Sequence, residues 1–447
     1  MDALREVAAK LEARAATYVK DNRLPGAAVG VVHGDSLAWW AGIGFADIPS
    51  RRPPEPTTLY RIASITKTFT GTAIMRLRDA GKLRLDDPIG RHIPEVAHLE
   101  DVTIRRLLSH ESGLQSEPPG TDWRQVRYEG SVERNLARAS EIKTRVPPNS
   151  QHKYSNIGVQ LLGEVVARRS GMPYVEYVRT QLLEPIGMTN TAFEPLPDAL
   201  RKQCATGYGG RFVSDELEPA ATPPTIWAEG GLWSCVEDLA RWISYQFRDD
   251  PTLREMQRPR YLTDEEWTQA TGIAWFALRK NDVTWILHGG ALHGFRSNVC
   301  FDPKLEVGAI ALINGVGDPA ALALELAGIA REAVAQAAPK IEPAAPIPAA
   351  YRPLVGIYFD GELGITLRVE WRDRKLVIVD PALPEWRPTL TPTEDQGVFL
   401  IEPGIRQSGE NAVFNRLPDG RVASIFIAAG TWVRLDPVAG AARAPAG

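Results

Sequence analysis

Residues Lys340-Ile341-Glu342-Pro343-Ala344-Ala345-Pro346-Ile347-Pro348 divide the chain into two stretches whose apolar residues recur with different periods. Proline fixes its own φ and carries no N–H donor, so such a run suits neither a helix interior nor a sheet interior and reads as a stiff linker over 338–350. Beyond it the period is two. Ile365, Leu367 and Val369 alternate with polar residues, and the runs from Leu376, Val398, Val413, Val422 and Trp432 are short and bounded by Gly, Pro and Asp. This spacing predicts a small antiparallel β-barrel at 351–437, followed by a flexible Ala- and Gly-rich tail at 438–447.

Before the linker the pattern is mixed. The whole chain has 447 residues, more than the ~250–300 that one core usually serves, so a separate domain at 1–337 is expected. Leu4, Val7, Leu11, Ala15 and Tyr18 mark an amphipathic helix, and two apolar runs flanking Gly34-Asp35 predict a strand hairpin. Further strands are expected at 283–290, 297–301 and 307–313, a short helix at 102–110, longer ones at 173–184 and 235–247, and a closing helix at 319–336. The expected fold class is therefore α/β in the α+β sense. An antiparallel sheet is flanked by helices, with an all-helical subdomain in the insert region of about 80–225.

Net charge is −4, which provides no field to attract nucleic acid or an anionic membrane. No stretch approaches the ~20 apolar residues of a bilayer span, and the charged N-terminus lacks the apolar region of a signal peptide. A cytoplasmic protein is expected from this. Cys204, Cys235 and Cys300 are odd in number and without C-x-x-C spacing, which predicts free thiols rather than disulfides or a thiolate metal site. No H-E-x-x-H or comparable spacing occurs, so neither a metal nor another cofactor is expected.

The chemistry-bearing stretch is Tyr60-Arg61-Ile62-Ala63-Ser64-Ile65-Thr66-Lys67, an extended run entering an apolar helix. Residues three apart share a helix face, so Lys67 can reach the Ser64 hydroxyl, beside the free N–H groups of a helix start. Ser-x-x-Lys also occurs at Ser140 and Ser150, so the spacing alone does not single out Ser64. Its strand-to-helix setting does, together with Tyr154-Ser155-Asn156 and His288-Gly289-Gly290 farther along.

These three motifs, in this order, resemble those of serine hydrolases of the penicillin-binding-protein fold. The tyrosine of the middle motif places the resemblance in the branch of class C β-lactamases, esterases and D-stereospecific peptidases and amidases. It covers roughly residues 5–336, with support from Leu107–Leu114, Pro185–Met188 and Gly230–Ser234, and the C-terminal barrel resembles a lipocalin-like domain carried by some members. The resemblance implies that Ser64 is acylated and that the base is either Lys67 or Tyr154, the two titrating as a coupled pair. It also implies that Asn156 orients Lys67 and the substrate, and that the N–H groups of Ser64 and Ala291 form an oxyanion hole beside Gly289 and Gly290. His288 stands where relatives carry a lysine that meets a substrate carboxylate. As a mainly neutral side chain lining the site it favours small ester, amide or short-peptide substrates.

Other readings of these residues exist. Tyr154 can be a packed aromatic, Asn156 a plain N-cap, His288 a structural histidine, and Arg296 either a carboxylate receptor or an ion-pair partner. At the level of function, the alternatives are a D-stereospecific peptidase or amidase, a weak β-lactamase, or a penicillin-binding sensory protein that acylates without turnover.

Overall fold

The computed structural model describes residues 2–121, 132–211, 214–219, 227–337, 346–362, 364–382, 387–402, 409–427 and 430–435. The chain divides into two compact units, Met1–Ala338 and Pro339–Gly447.

In chain order, the elements of the first unit that matter here are α1 (Ala8–Asp21), β1 (Gly26–His33), β2 (Ser36–Gly44), β3 (Tyr60–Arg61), α2 (Thr66–Asp79), α3 (Asn156–Ser170), β4 (Ala192–Phe193), β5 (Leu232–Ser234) and α4 (Val236–Gln246). They are followed by β6 (Tyr261–Leu262), β7 (Gln269–Thr271), β8 (Phe276–Lys280), β9 (Val283–Leu292), β10 (Phe295–Asp302), β11 (Val307–Ile313) and α5 (Pro319–Ala337). Eight strands form one sheet in the order β2-β1-β11-β10-β9-β8-β7-β6, and β3, β5 and β4 form a small second sheet.

The main sheet is buried on both faces because its central strands alternate apolar residues between two cores. Ala28 and Val32 of β1 join one core with Phe69 and Trp242, whereas Ala27, Val29 and Val31 join the other with Leu11, Ala15, Leu322 and Leu326. Helices α1 and α5 thus cover one face. On the other, Phe69 of α2 stacks on Trp242 of α4 at 3.9 Å, and Gly30 admits α4, since a Cβ there would stand 2.5 Å from Val236 Cγ1. Helix α2 is buried on nearly every side. Two of its threonine hydroxyls are satisfied locally, Thr68 Oγ1 donating to Ile65 O at 2.8 Å and Thr72 Oγ1 to Thr68 O at 2.8 Å.

The hairpin forms where Gly34-Asp35 indicates, Gly34 turning at φ +59°. Strands β6 to β8 extend the sheet beyond the expected set; they are short, and Gln269–Thr271 has no apolar alternation to announce it. The helix expected at 102–110 is only Ile104–Leu108, because Thr103 caps its start and His110 leaves it at φ +60°.

The second unit is a closed antiparallel barrel of eight strands: β12 (Gly356–Asp360), β13 (Ile365–Arg372), β14 (Lys375–Val379), β15 (Thr389–Pro392), β16 (Val398–Glu402), β17 (Asn411–Arg416), β18 (Val422–Ile427) and β19 (Gly430–Leu435). Tyr358, Leu367, Val369, Ile401, Phe414 and Ile425 fill it. The expected antiparallel class is present, and β12 and β15 are additional to the strands read from sequence. The expected linker, apart from its last few residues, and the tail lie outside the described residues, as do 122–131 of the insert.

Candidate active site

Ser64 sits on a single 3₁₀ turn, Ala63–Ile65, between β3 and α2. Ala63 holds φ +47°, a left-handed conformation that costs a non-glycine residue and persists only when neighbours fix it. They do. The Ile62 N–H donates to Leu232 O at 3.0 Å, and Ile62 O accepts from Ser297 Oγ at 2.8 Å. The Leu232 N–H in turn donates to Thr66 Oγ1 at 3.2 Å. Gly290 completes the clasp, since a Cβ there would lie 2.1 Å from Ile62 O.

Lys67, one helical turn on, is 2% exposed. Its Nζ lies 3.0 Å from Ser64 Oγ and donates to Glu229 O at 2.5 Å. Thr70, on the same face of α2, donates to Ala228 O at 2.6 Å. Two successive carbonyls are thereby gripped by one helix, which fixes where the amine stands. The Tyr154 ring centroid is 5.0 Å from Lys67 Nζ, so Ser64, Lys67 and Tyr154 are brought together.

Tyr154 precedes the N-terminus of α3. There Ser155, not Asn156, is the N-cap: its Oγ accepts from the Gly158 N–H at 3.0 Å and donates to Gln115 O at 2.7 Å. Asn156 does not orient Lys67 in this structure. Its Nδ2 donates to Glu117 Oε1 at 2.7 Å while its buried Oδ1 has no hydrogen-bond partner, and the amine is held by the Glu229 carbonyl instead.

The placement of His288 also corrects the sequence reading. It is 1% exposed, beneath Phe276 at 5.3 Å between centroids, with Nδ1 donating to Gly289 O at 2.8 Å. A carbonyl only accepts, so Nδ1 carries the proton. Burial, then the nearby Lys67 charge, lowers its pKa to about 3. His288 is therefore neutral as expected, but it packs inside the protein rather than lining the open site.

Strand β8 pairs with β9 only as far as Leu287, opposite Phe276. From His288 to Leu292 the ladder is with β10 alone. Ala291 on this segment is exposed. Gly289 is less confined than Gly290: its Cβ would meet Asn298 Nδ2 at 3.2 Å. Arg296 makes no ion pair among the described residues; its Nη1 donates to Leu292 O at 2.8 Å and Phe295 O at 2.9 Å, tying the β9–β10 turn.

Sequence reading missed Glu229 and the surroundings of Tyr154. His110, His152 and His288 all lie around Phe276, and His110 is held well below the usual histidine range by burial and then by Lys67. Glu229 stands just before Gly230–Ser234, so its neighbours carried a signal although its own carbonyl did not. Among the described residues no group of three or more His, Cys, Asp or Glu could hold a metal ion, and no helix is long and apolar enough to cross a membrane.

Residues 11–333 match the family model described as Beta-lactamase. Protein flp of Staphylococcus aureus (strain COL) is 28% identical over 321 residues, 66% of this chain and 61% of that protein. Beta-lactamase-like protein 2 of Dictyostelium discoideum is 28% identical over 316 residues, 65% of this chain and 56% of that protein. The chain thus spans less than two thirds of the length of these curated relatives. Among solved structures, the octameric penicillin-binding protein homologue from Pyrococcus abyssi aligns with a TM-score of 0.64 at 22% identity, over 95% of this chain and 99% of that one. A penicillin-binding protein from Bacillus halodurans aligns at 0.62 and 22% identity over 70% of this chain and 98% of that one. At such identity the structural likeness speaks to fold.

Proposed function

The chain belongs to the beta-lactamase family, and on that premise we propose that it is a serine hydrolase cleaving ester or amide bonds of small substrates through a Ser64 acyl-enzyme. The observation that carries the reading is the Lys67 amine at 3.0 Å from Ser64 Oγ, on a turn held in a strained conformation by long-range bonds. The Ser64 hydroxyl proton passes to the Lys67–Tyr154 pair as Oγ attacks the substrate carbonyl, forming the Oγ–C bond. The resulting oxyanion is met by the main-chain N–H groups of Ser64 and Ala291. Collapse breaks the bond to the leaving group, which departs with the proton returned through Lys67 and Tyr154. Water then cleaves the acyl-enzyme by the reverse sequence of proton transfers.

Lys67 contacts Oγ directly and Tyr154 approaches through its ring, which favours Lys67 as first proton acceptor and Tyr154 as its partner. Buried, neutral His288 supplies no positive charge for a substrate carboxylate. Esters, neutral amides and short peptides, D-amino acid amides included, are therefore favoured over β-lactams.

A fluorophosphonate should label the Ser64 peptide, as read by mass spectrometry. A panel of p-nitrophenyl esters, D- and L-amino acid amides and nitrocefin should show turnover that Ser64→Ala lowers by roughly 10³-fold or more. Labelling of another serine, with turnover kept in Ser64→Ala, refutes the assignment. A stoichiometric burst with no turnover indicates an acyl-binding sensor instead.

A further inference from the structure

We propose that His110 is a positioning residue that aims Tyr154 at the Ser64–Lys67 pair, through its ring and through the lone pair of Nδ1. The inference rests on the catalytic reading of Ser64 and Tyr154 given above.

Three consecutive residues of the Tyr154 segment are attached to His110. The Lys153 N–H donates to His110 O at 2.9 Å, the Tyr154 ring lies on the imidazole at 4.2 Å between centroids and 33° between planes, and the Ser155 N–H donates to His110 Nδ1 at 3.2 Å. Phe276 lies nearly parallel to the imidazole at 6.4 Å and 19°. The imidazole is 4% exposed, and its backbone at φ +60° is in a region that few residues other than Gly, Asn and Asp adopt readily. Nothing in the Ser64 chemistry uses this side chain directly.

Chemistry explains why a histidine suits the position. Ser155 is the N-cap of α3, so its own N–H lies outside the helix ladder and needs an acceptor from elsewhere. A backbone N–H only donates, so Nδ1 must carry a lone pair. Protonation of Nδ1 would turn the acceptor into a donor and break the contact. The charged and titratable groups that bear on His110 are Lys67, His152 and His288, and together with burial they oppose protonation. The imidazole is thus an uncharged plane with a fixed acceptor, and it adds no second positive charge beside Lys67.

The test is the second-order rate constant for fluorophosphonate labelling of Ser64, a readout that needs no knowledge of the substrate. His110→Phe keeps a ring and loses the acceptor. His110→Asn keeps an acceptor in the place of Nδ1, tolerates the left-handed backbone and loses the ring. Each should slow labelling about tenfold or more, whereas in a Tyr154→Phe background His110→Asn should slow it by less than about twofold, because its effect passes through the tyrosine hydroxyl. Equal factors in both backgrounds, an unchanged rate, or failure of both variants to accumulate as folded protein would overturn the proposal. If the unaltered protein does not label at Ser64, the catalytic reading fails first and this role of His110 falls with it.

Discussion

At Ser64, three side chains depend on one another in a way that pairwise reasoning misses. Lys67 Nζ contacts both Ser64 Oγ and the Glu229 carbonyl, and Tyr154 closes on it through its ring. Residues that serve one proton transfer lose function together. The double variant Lys67→Ala/Tyr154→Phe should accordingly be little slower than the poorer single variant, and additive losses in log kcat would contradict a shared role. A second prediction concerns His288, whose pKa falls from 6.5 unfolded to about 3 folded. Above pH ~6.5 both states hold it neutral and it adds no pH dependence. Below that the unfolded chain binds the proton that the folded site refuses, so stability falls as pH drops, at up to about 1.4 kcal/mol per pH unit for one such group. His110 acts in the same direction. Urea unfolding between pH 7.5 and 4.5 should therefore show a shallower fall for His288→Asn than for the unaltered protein; parallel curves would contradict the assigned shift. Some of this residue-scale picture was legible: the strand-to-helix setting and the two later motifs singled out Ser64 and Lys67 where the Ser-x-x-Lys spacing alone did not. The Glu229 carbonyl was not, since a main-chain acceptor leaves no mark in residue identity.

Elements rather than residues decide how firmly the Ser64 turn is held. The two neighbouring glycines of β9 face different surroundings, which makes their contrast a measurement. In Gly290→Ala the new Cβ meets Ile62 O and Ser297 Oγ at 2.1 and 2.4 Å, so the turn must shift. Overpacking of this kind costs about 1–3 kcal/mol, and Ser64 labelling should slow with it. Gly289→Ala meets an amide tip at 3.2 Å and Ser297 O at an ordinary 3.5 Å and should be the milder change in both melting temperature and labelling. Ser155→Ala removes the cap of α3 and its bond to Gln115 O, a loss of about 0.5–2 kcal/mol readable in urea titration. The hairpin β1–β2 and strands β9 to β11 were visible as apolar runs between turn residues. Strands β6 to β8 were not, because their burial comes from tertiary contact: Ala270 and Thr271 are buried while Gln269 is exposed, without a pattern that sequence alone reads as a strand.

Over the whole molecule, the described residues of the first unit form two cores divided by its sheet, and those of the barrel form one of their own. Ile401 is fully buried in the barrel, so Ile401→Ala should cost about 2–5 kcal/mol. Calorimetry should show this as a shift of one transition while Ser64 labelling keeps its rate; a single transition moving as a whole would contradict separate cores. The barrel was legible as a class because inward residues such as Leu367 and Val369 alternate. Its end was less so, since Ile365, on the same alternation, is exposed. The Ser64 turn, finally, is clasped by Ser297 from 235 residues away in sequence and Lys67 by Glu229 from 162. Contacts so distant along the chain close late, after helices and hairpins have formed. Labelling at Ser64 should thus serve as a clock for a late step of folding: after dilution from denaturant, labelling competence should trail the return of helical ellipticity, and the interval between them times the docking of β10 and the Glu229 segment onto the Ser64 turn.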